Sequence, residues 1–201
     1  MSIEKRGEWW WPSRDTEYLK VAACLQSLHL AVKRVQARNV AVQAGGCVGV
    51  WPRQLSAWFQ AVYTFEPDTE NFECLVKNLS GLTNVAKMQA CLGAGQAPVG
   101  MARSDANVGA GYIWGDGVTP VIKIDDLHLA ACNLICLDVE GYELPAMMGA
   151  KNTLAMFRPV VLCEDKGLHR RYGFGNLTEW LAEQGYKEVG REARDVVFAW
   201  S

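Results

Sequence analysis

Four short segments of this 201-residue chain hold residue types that can handle a ligand as well as fill a core. The first is Val42-Gln43-Ala44-Gly45-Gly46-Cys47-Val48-Gly49. Glycines after an apolar run let the backbone bend tightly, approach a bound molecule and aim the N–H groups of a following helix at it. The same residues also serve plain turns, and G-G-x-x-G departs from the dinucleotide fingerprint G-x-G-x-x-G. The second segment, Phe65-Glu66-Pro67, places a carboxylate about 20 residues beyond the glycines, where an acid can accept both hydroxyls of a ribose. The third runs from Leu134 to Glu143 and sets Asp138, Glu140 and Glu143 directly after an apolar stretch. Unpartnered charge at the mouth of a buried strand is costly, so such acids face a ligand, a metal or helix N–H groups. Helix capping by Glu140 or Glu143 is the structural alternative. The fourth, Val161 to Asp165, ends in Glu164-Asp165, with His169, Arg170 and Arg171 in the loop beyond.

Elements that would position these residues follow from periodicity. Leu19, Ala22, Ala23, Leu25, Leu28, Leu30, Val32 and Val35 recur at helical spacing, which predicts one amphipathic helix from Asp15 to about Arg38. Strands are expected over 39–42, 61–65, 85–91, 121–124, 133–138 and 160–163, with helices around 54–60, from Asp68 past Leu79, over 144–156 and over 177–184. Asp68 suits a helix N-cap, and Asp125 or Asp126 suits the cap of a brief helix of its own. The stretch 93–117 is Gly-rich with tyrosine and tryptophan interleaved, and reads as loops or a small hairpin that could cover the site. Residues 186–189 and 196–200 read as a closing antiparallel pair. Strands that alternate with helices predict an α/β, Rossmann-like, doubly wound and mostly parallel sheet. An N-terminal segment over 1–38 would pack on a catalytic domain over 39–201. In such sheets ligands sit beyond the carboxyl ends of the strands, where all four segments converge.

Composition narrows the function classes. Hydrophobic residues make up 50%, charged residues 21%, and the formal net charge is −2, which suits a globular protein and excludes a disordered chain. The chain holds no basic block, so a dedicated nucleic-acid binder is disfavoured, though a nucleic-acid substrate is not excluded. Seven scattered cysteines without a C-x-x-C pair read as buried thiols of a reducing compartment. The three histidines form no metal-ligand spacing with them, so no metal site is expected. No stretch reaches the roughly 18 apolar residues of a membrane span, and a cytoplasmic location is expected. Trp9-Trp10-Trp11 is either a docking surface or a segment folded back on the core.

The run from the glycine turn through Phe65-Glu66-Pro67-Asp68, Lys77-Asn78-Leu79, Ile124-Asp125-Asp126-Leu127, Leu137-Asp138-Val139-Glu140-Gly141-Tyr142-Glu143 and Gly149-Ala150 to Arg158-Pro159 and Glu164 resembles the FkbM family of S-adenosylmethionine-dependent methyltransferases. The resemblance covers roughly residues 39 to 165. It implies a class I methyltransferase fold and S-adenosylmethionine as cofactor. The implied reaction is methylation of a hydroxyl oxygen on a sugar, glycan, natural product or similar small acceptor. By that resemblance Gly45, Gly46 and Gly49 line the cofactor, Glu66 holds its ribose, and Asp138 stands beside the transferable methyl. Gln43 takes the place of a usual acid, Cys47 of a usual asparagine and Cys136 of a usual lysine, and Gln43 can still accept a hydrogen bond from the methionine ammonium. Asp138 is the expected base or acceptor-orienting group, with Glu140, Glu143, Glu164 and His169 as further candidates. A divalent cation on Asp138 and Glu164 is a minor alternative. Competing functions are a non-catalytic cofactor-binding or protein-interaction domain and a nicotinamide-dependent reductase, the latter opposed by the missing fingerprint. Loops choose the acceptor in such folds, and here those are the stretches 93–117 and 165–176.

Overall fold

A computed structural model describes residues 2–16, 25–95, 97–104 and 107–201. Its centre is a seven-stranded sheet built from β3 (Val40–Ala44), β4 (Ala61–Phe65), β5 (Val85–Met88), β10 (Leu134–Leu137), β11 (Val160–Glu164), β12 (Tyr186–Glu192) and β13 (Asp195–Trp200), in the order β12-β13-β11-β10-β3-β4-β5. Five strands run parallel, and β13 and β12 join antiparallel beside β11. The chain fills one side of β3 with β4 and β5, then returns to its other side with β10 and β11. Strand order therefore reverses between β3 and β10, where a crevice opens above the carboxyl ends. This is the expected doubly wound α/β fold with its antiparallel closing pair.

Alternation along the strands splits the core in two. Val42, Ala44, Ile135, Leu137, Val161 and Cys163 face one side, against α4 (Glu143–Met148), α5 (Lys151–Phe157) and α6 (Leu177–Glu183). Ala41, Leu134, Cys136, Val160 and Leu162 face the other, against α1 (Gln26–Val32), α2 (Val50–Ser56) and α3 (Thr69–Asn78). Strands covered on both faces must read as continuous apolar runs, as 134–137 does.

Several boundaries differ from expectation. The first residues form a hairpin, β1 (Ile3–Arg6) and β2 (Trp9–Pro12). Trp11 is fully buried in a small cluster with Val48, Val50, Cys74 and Val108, while Arg53 and Lys77 stack over Trp9 and Trp10. The tryptophans thus fold back on the body. Of the helix expected from Asp15 to about Arg38, α1 covers Gln26–Val32 and stops short of the expected end, and residues 17–24 lie outside the described residues. Helix α2 begins at Val50, ahead of the expected start, because Pro52 sits in its first turn, where a missing N–H costs nothing. The helix expected over 144–156 is two. Gly149 packs against Gly93, and the Asp125 carboxylate accepts the Asn152 and Thr153 amides at 3.0 and 2.9 Å, which starts α5 afresh. Asp125 thus caps a distant helix instead of one of its own, and residues 124–127 form only a single 3₁₀ turn. The segment expected as one strand over 85–91 ends at Met88. Beyond it, β6 (Cys91–Leu92) pairs in parallel with β9 (Val121–Ile122). Within the Gly-rich stretch, β7 (Val99–Ala102) and β8 (Tyr112–Asp116) form an antiparallel hairpin over the crevice. Among the described residues no helix is long and apolar enough to cross a membrane.

Candidate active site

A cleft of about 200 Å³ opens where the strand order reverses. Its floor begins with the glycine turn after β3. The N–H groups of Gly45 and Gly46 both donate to the Phe65 carbonyl, at 3.1 and 2.9 Å, which clamps the turn to the end of β4. Gly45 has a φ of +79°, and a side chain there would overlap the Asp138 carbonyl oxygen. A Cβ at Gly46 would lie 2.6 Å from Leu75 Cδ1. These two glycines let the ends of β3, β4 and β10 meet closely, and both line the cleft. Gly49 sits elsewhere: it begins α2 with a φ of +101° and packs on Leu79. Gln43 lies fully buried beneath the floor, its Oε1 accepting from Thr64 Oγ1 at 2.6 Å and its Nε2 donating to the Ala44 carbonyl at 3.0 Å. Both of its polar ends are thus engaged inside the protein.

Glu66, only 5% exposed, lies at the tip of β4 and lines the cleft. Its Oε2 accepts from the Cys47 amide at 2.7 Å and its Oε1 from the Asp68 amide at 2.8 Å. The Asn71 side chain also reaches this carboxyl, and since a carboxylate has about four acceptor positions, at least one remains for a ligand. Burial pushes the Glu66 carboxyl up to about 7, against the opposing pull of those two amides. Asp68 caps α3 through the Glu70 and Asn71 amides and pairs with Arg103. Arg14 binds Glu70 at 2.8 Å and also reaches the Ser104 carbonyl, which ties the N-terminal hairpin to this rim.

The opposite wall is acidic. The Asp138 amide donates to the Ala44 carbonyl at 3.1 Å, and its Oδ1 is sealed from solvent without a hydrogen-bond partner among the described residues. One carboxylate oxygen each of Asp138, Glu140 and Glu164 lie within 4.8 Å of one another. Glu140, with a φ of +54°, and Gly141, at +101°, make the turn that brings these acids together. The loop after β11 rests on that turn, since a Cβ at Gly141 would lie 2.7 Å from the Leu168 backbone. It delivers Lys166, whose Nζ is 2.9 Å from Glu140 Oε1 and 2.6 Å from Glu164 Oε2. Burial, and then the charge of Glu164, pushes Asp138 well above the usual carboxylate range. Burial alone would lower Lys166, but its bonds to Glu164 and Glu140 outweigh it, so the ammonium stays charged. A trio of acids at this spacing is sized for a cation, and the cation it holds is a lysine.

Two other candidates stand apart. Glu143, the first residue of α4, braces the turn before the helix instead of capping it: its Oε1 accepts from the Val139 and Gly141 amides, each at 3.2 Å, and burial pushes its carboxyl up to about 7. His169 lies in a 3₁₀ turn and borders a smaller cavity of about 20 Å³ together with Glu164 and Lys166. Tyr112, Ile113, Met101 and Tyr142 close the cleft from above. Arg171 lies 3.8 Å over the Tyr112 ring, and Tyr142 meets Tyr172 and Phe174 edge-on at 5.5 and 5.6 Å. The structure thus gathers Gly45, Gly46, Glu66, Asp138 and Glu164 around one space, with Glu140 behind Lys166. Lys166 escaped the sequence reading because it follows two acids in a loop without periodicity. The signal that could have found it is the need of three neighbouring acids for a counter-charge.

The family described as methyltransferase FkbM domain matches residues 43–188. Among solved structures, methyltransferase FkbM from Methylobacillus flagellatus KT superposes with a TM-score of 0.54 at 18% identity, over 82% of this chain and 44% of that one. The present chain thus spans less than half the length of that protein. Precorrin-6y C5,15-methyltransferase from Geobacter metallireducens GS-15 gives a TM-score of 0.52 at 15% identity, covering 86% of each chain. N-methyltransferase NodS from Bradyrhizobium japonicum WM9 gives 0.51 at 14% identity, over 92% and 96%. At such identities the likeness carries the fold alone. A search of curated proteins gives no match.

Proposed function

The chain belongs to the methyltransferase FkbM domain family, and from that premise we propose that it takes S-adenosylmethionine as donor and methylates a hydroxyl oxygen of a small acceptor, such as a sugar, glycan or natural product. The observation that carries this reading is the meeting, across one glycine turn, of a buried carboxyl with a free acceptor position, Glu66, and a second with an unpartnered oxygen, Asp138. The donor set suits that cofactor: Gly45 and Gly46 offer close backbone approach, Glu66 suits a pair of ribose hydroxyls, and Asp138 suits a positively charged neighbour. When bound, the cofactor supplies a methyl group activated by a sulfonium.

The chain's own residues do the rest. Glu66 fixes the donor's orientation, which counts because in-line displacement depends on alignment. Tyr112, Ile113 and Tyr142 keep water from the reacting centre. Asp138, backed by Glu164, receives the proton that a hydroxyl acceptor must lose. Gln43 and Gly49 serve by shaping the turn from behind, and His169 and Glu140 by holding the loop and lysine that flank the acids. A cytoplasmic site of action agrees with the buried, unpaired thiols of Cys74, Cys91, Cys132, Cys136 and Cys163.

Calorimetric titration with S-adenosylhomocysteine tests the reading, because it needs no acceptor. Binding is expected, and Glu66→Ala should weaken it roughly tenfold to a hundredfold, the worth of hydrogen bonds to a charged group. Absence of heat with either donor or spent product would overturn the proposal.

A further inference from the structure

Asp138 and Glu164 line one corner of the cleft, and Glu140 stands close behind them, one oxygen of each of the three lying within 4.8 Å of the others. At that spacing they cannot all be ionised without matching positive charge. Lys166 bridges Glu140 and Glu164 through two ion pairs and supplies one positive charge to the trio. Asp138, outside the bridge and with its Oδ1 unpartnered, is the member left to carry a proton, shared with Glu164. Among the described residues the other titratable groups beside Asp138 supply no positive charge, and Arg14 and Arg103, which also line the cleft, are paired with Glu70 and Asp68. Cys47, on the glycine turn, is held protonated by burial. Asp195, at the start of β13, accepts from Ser27, and Glu143 is committed to two amides.

Resting on the reading that a sulfonium donor docks beside Asp138, we propose that the Asp138–Glu164 pair, poised by Lys166, is a proton store that empties to solvent when the positively charged donor binds and refills with the acceptor's proton during transfer. In the free protein the store holds its proton, because burial and the charge of Glu164 disfavour ionising Asp138. A fixed positive charge alongside reverses that preference and expels the proton. As the S–C bond breaks, its electron pair stays on sulfur. The pair of acids takes the hydroxyl proton as the C–O bond forms. One positive charge leaves the sulfur and one arrives as a proton, so the cleft holds the same net charge before and after. The site thereby tells donor from spent product by proton count, and Lys166 is the positioning residue that sets where on the pH scale it does so.

The test is calorimetry of donor and of S-adenosylhomocysteine in buffers of different ionisation enthalpy, at a pH of about 6.5, above the ordinary carboxylate range. Any proton released by Glu66 on meeting a ribose is common to both ligands, so the difference between them isolates the acid pair. The donor should release close to one proton more than the thioether. Asp138→Asn should abolish the difference while leaving thioether affinity within a few fold. Lys166→Met should move the pH window of the difference upward, and Lys166→Arg should restore it. Equal proton counts for the two ligands in the native protein overturn the proposal while the donor reading stands. Absence of binding by both overturns the donor reading itself. The native comparison decides even if a Lys166 variant fails to fold.

Discussion

At the scale of single residues, the site's chemistry comes from charged groups held out of water. Glu66 and Asp138 are raised by burial, and Lys166 stands against the acids of its corner. Cys47 shows a different cost. It occupies the left-handed region with a φ of +46°, where L-residues other than asparagine are strained. Cys47→Asn should therefore stabilise the fold by roughly 0.5–1 kcal/mol, visible as a higher melting temperature. A lower one would show that the thiol's packing outweighs the backbone. Much at this scale was legible in the sequence: Gly45, Gly46, Glu66, Asp138 and Glu164 stand at strand ends, which patterning locates. Lys166 and the inward turn of Gln43 were not, since both depend on which face or loop meets which neighbour in space.

At the scale of elements, the turn after β3 sets the tolerances. Gly45→Ala would force a Cβ into the Asp138 backbone on top of an unfavourable φ, and should cost more than about 3 kcal/mol in a denaturant melt. Gly115, on β8, has a φ of +65° but open space around it, so Gly115→Ala should cost only about 1 kcal/mol. Equal losses at both positions would refute the close-approach argument. Strands 61–65 and 134–137 were readable because apolar runs of that length bounded by acids have few other uses. The break between α4 and α5 was not readable, because the Asp125 carboxylate that caps α5 arrives from 27 residues away. Neither was the hairpin β1–β2, whose tryptophans are as apolar as any core helix and gave no period to follow.

For the molecule as a whole, buried acids make stability depend on pH against the usual direction. Glu66 and Glu143 have folded values of about 7 against 4.5 for the ordinary group. Between those values the folded state binds more protons than the unfolded one, so stability is greatest at the acid end of this window and falls as pH rises through it. Each such group contributes on the order of a few kcal/mol. The ligand-free protein should accordingly melt at a lower temperature at pH 7.5 than near pH 5, and S-adenosylhomocysteine should narrow the gap by giving the Glu66 charge its partners. A melting temperature that rises across the window would contradict the buried placement of these carboxyls. The doubly wound fold itself was legible throughout, because alternation of element types is a property of the whole chain and survives errors at every boundary. One contact joins its scales. Arg171, resting on the Tyr112 ring, moors the β7–β8 hairpin to the same loop that carries Lys166. Admission to the pocket and the acidity within it hang from the same loop, so whatever pries the awning open also tugs at the counter-ion beneath.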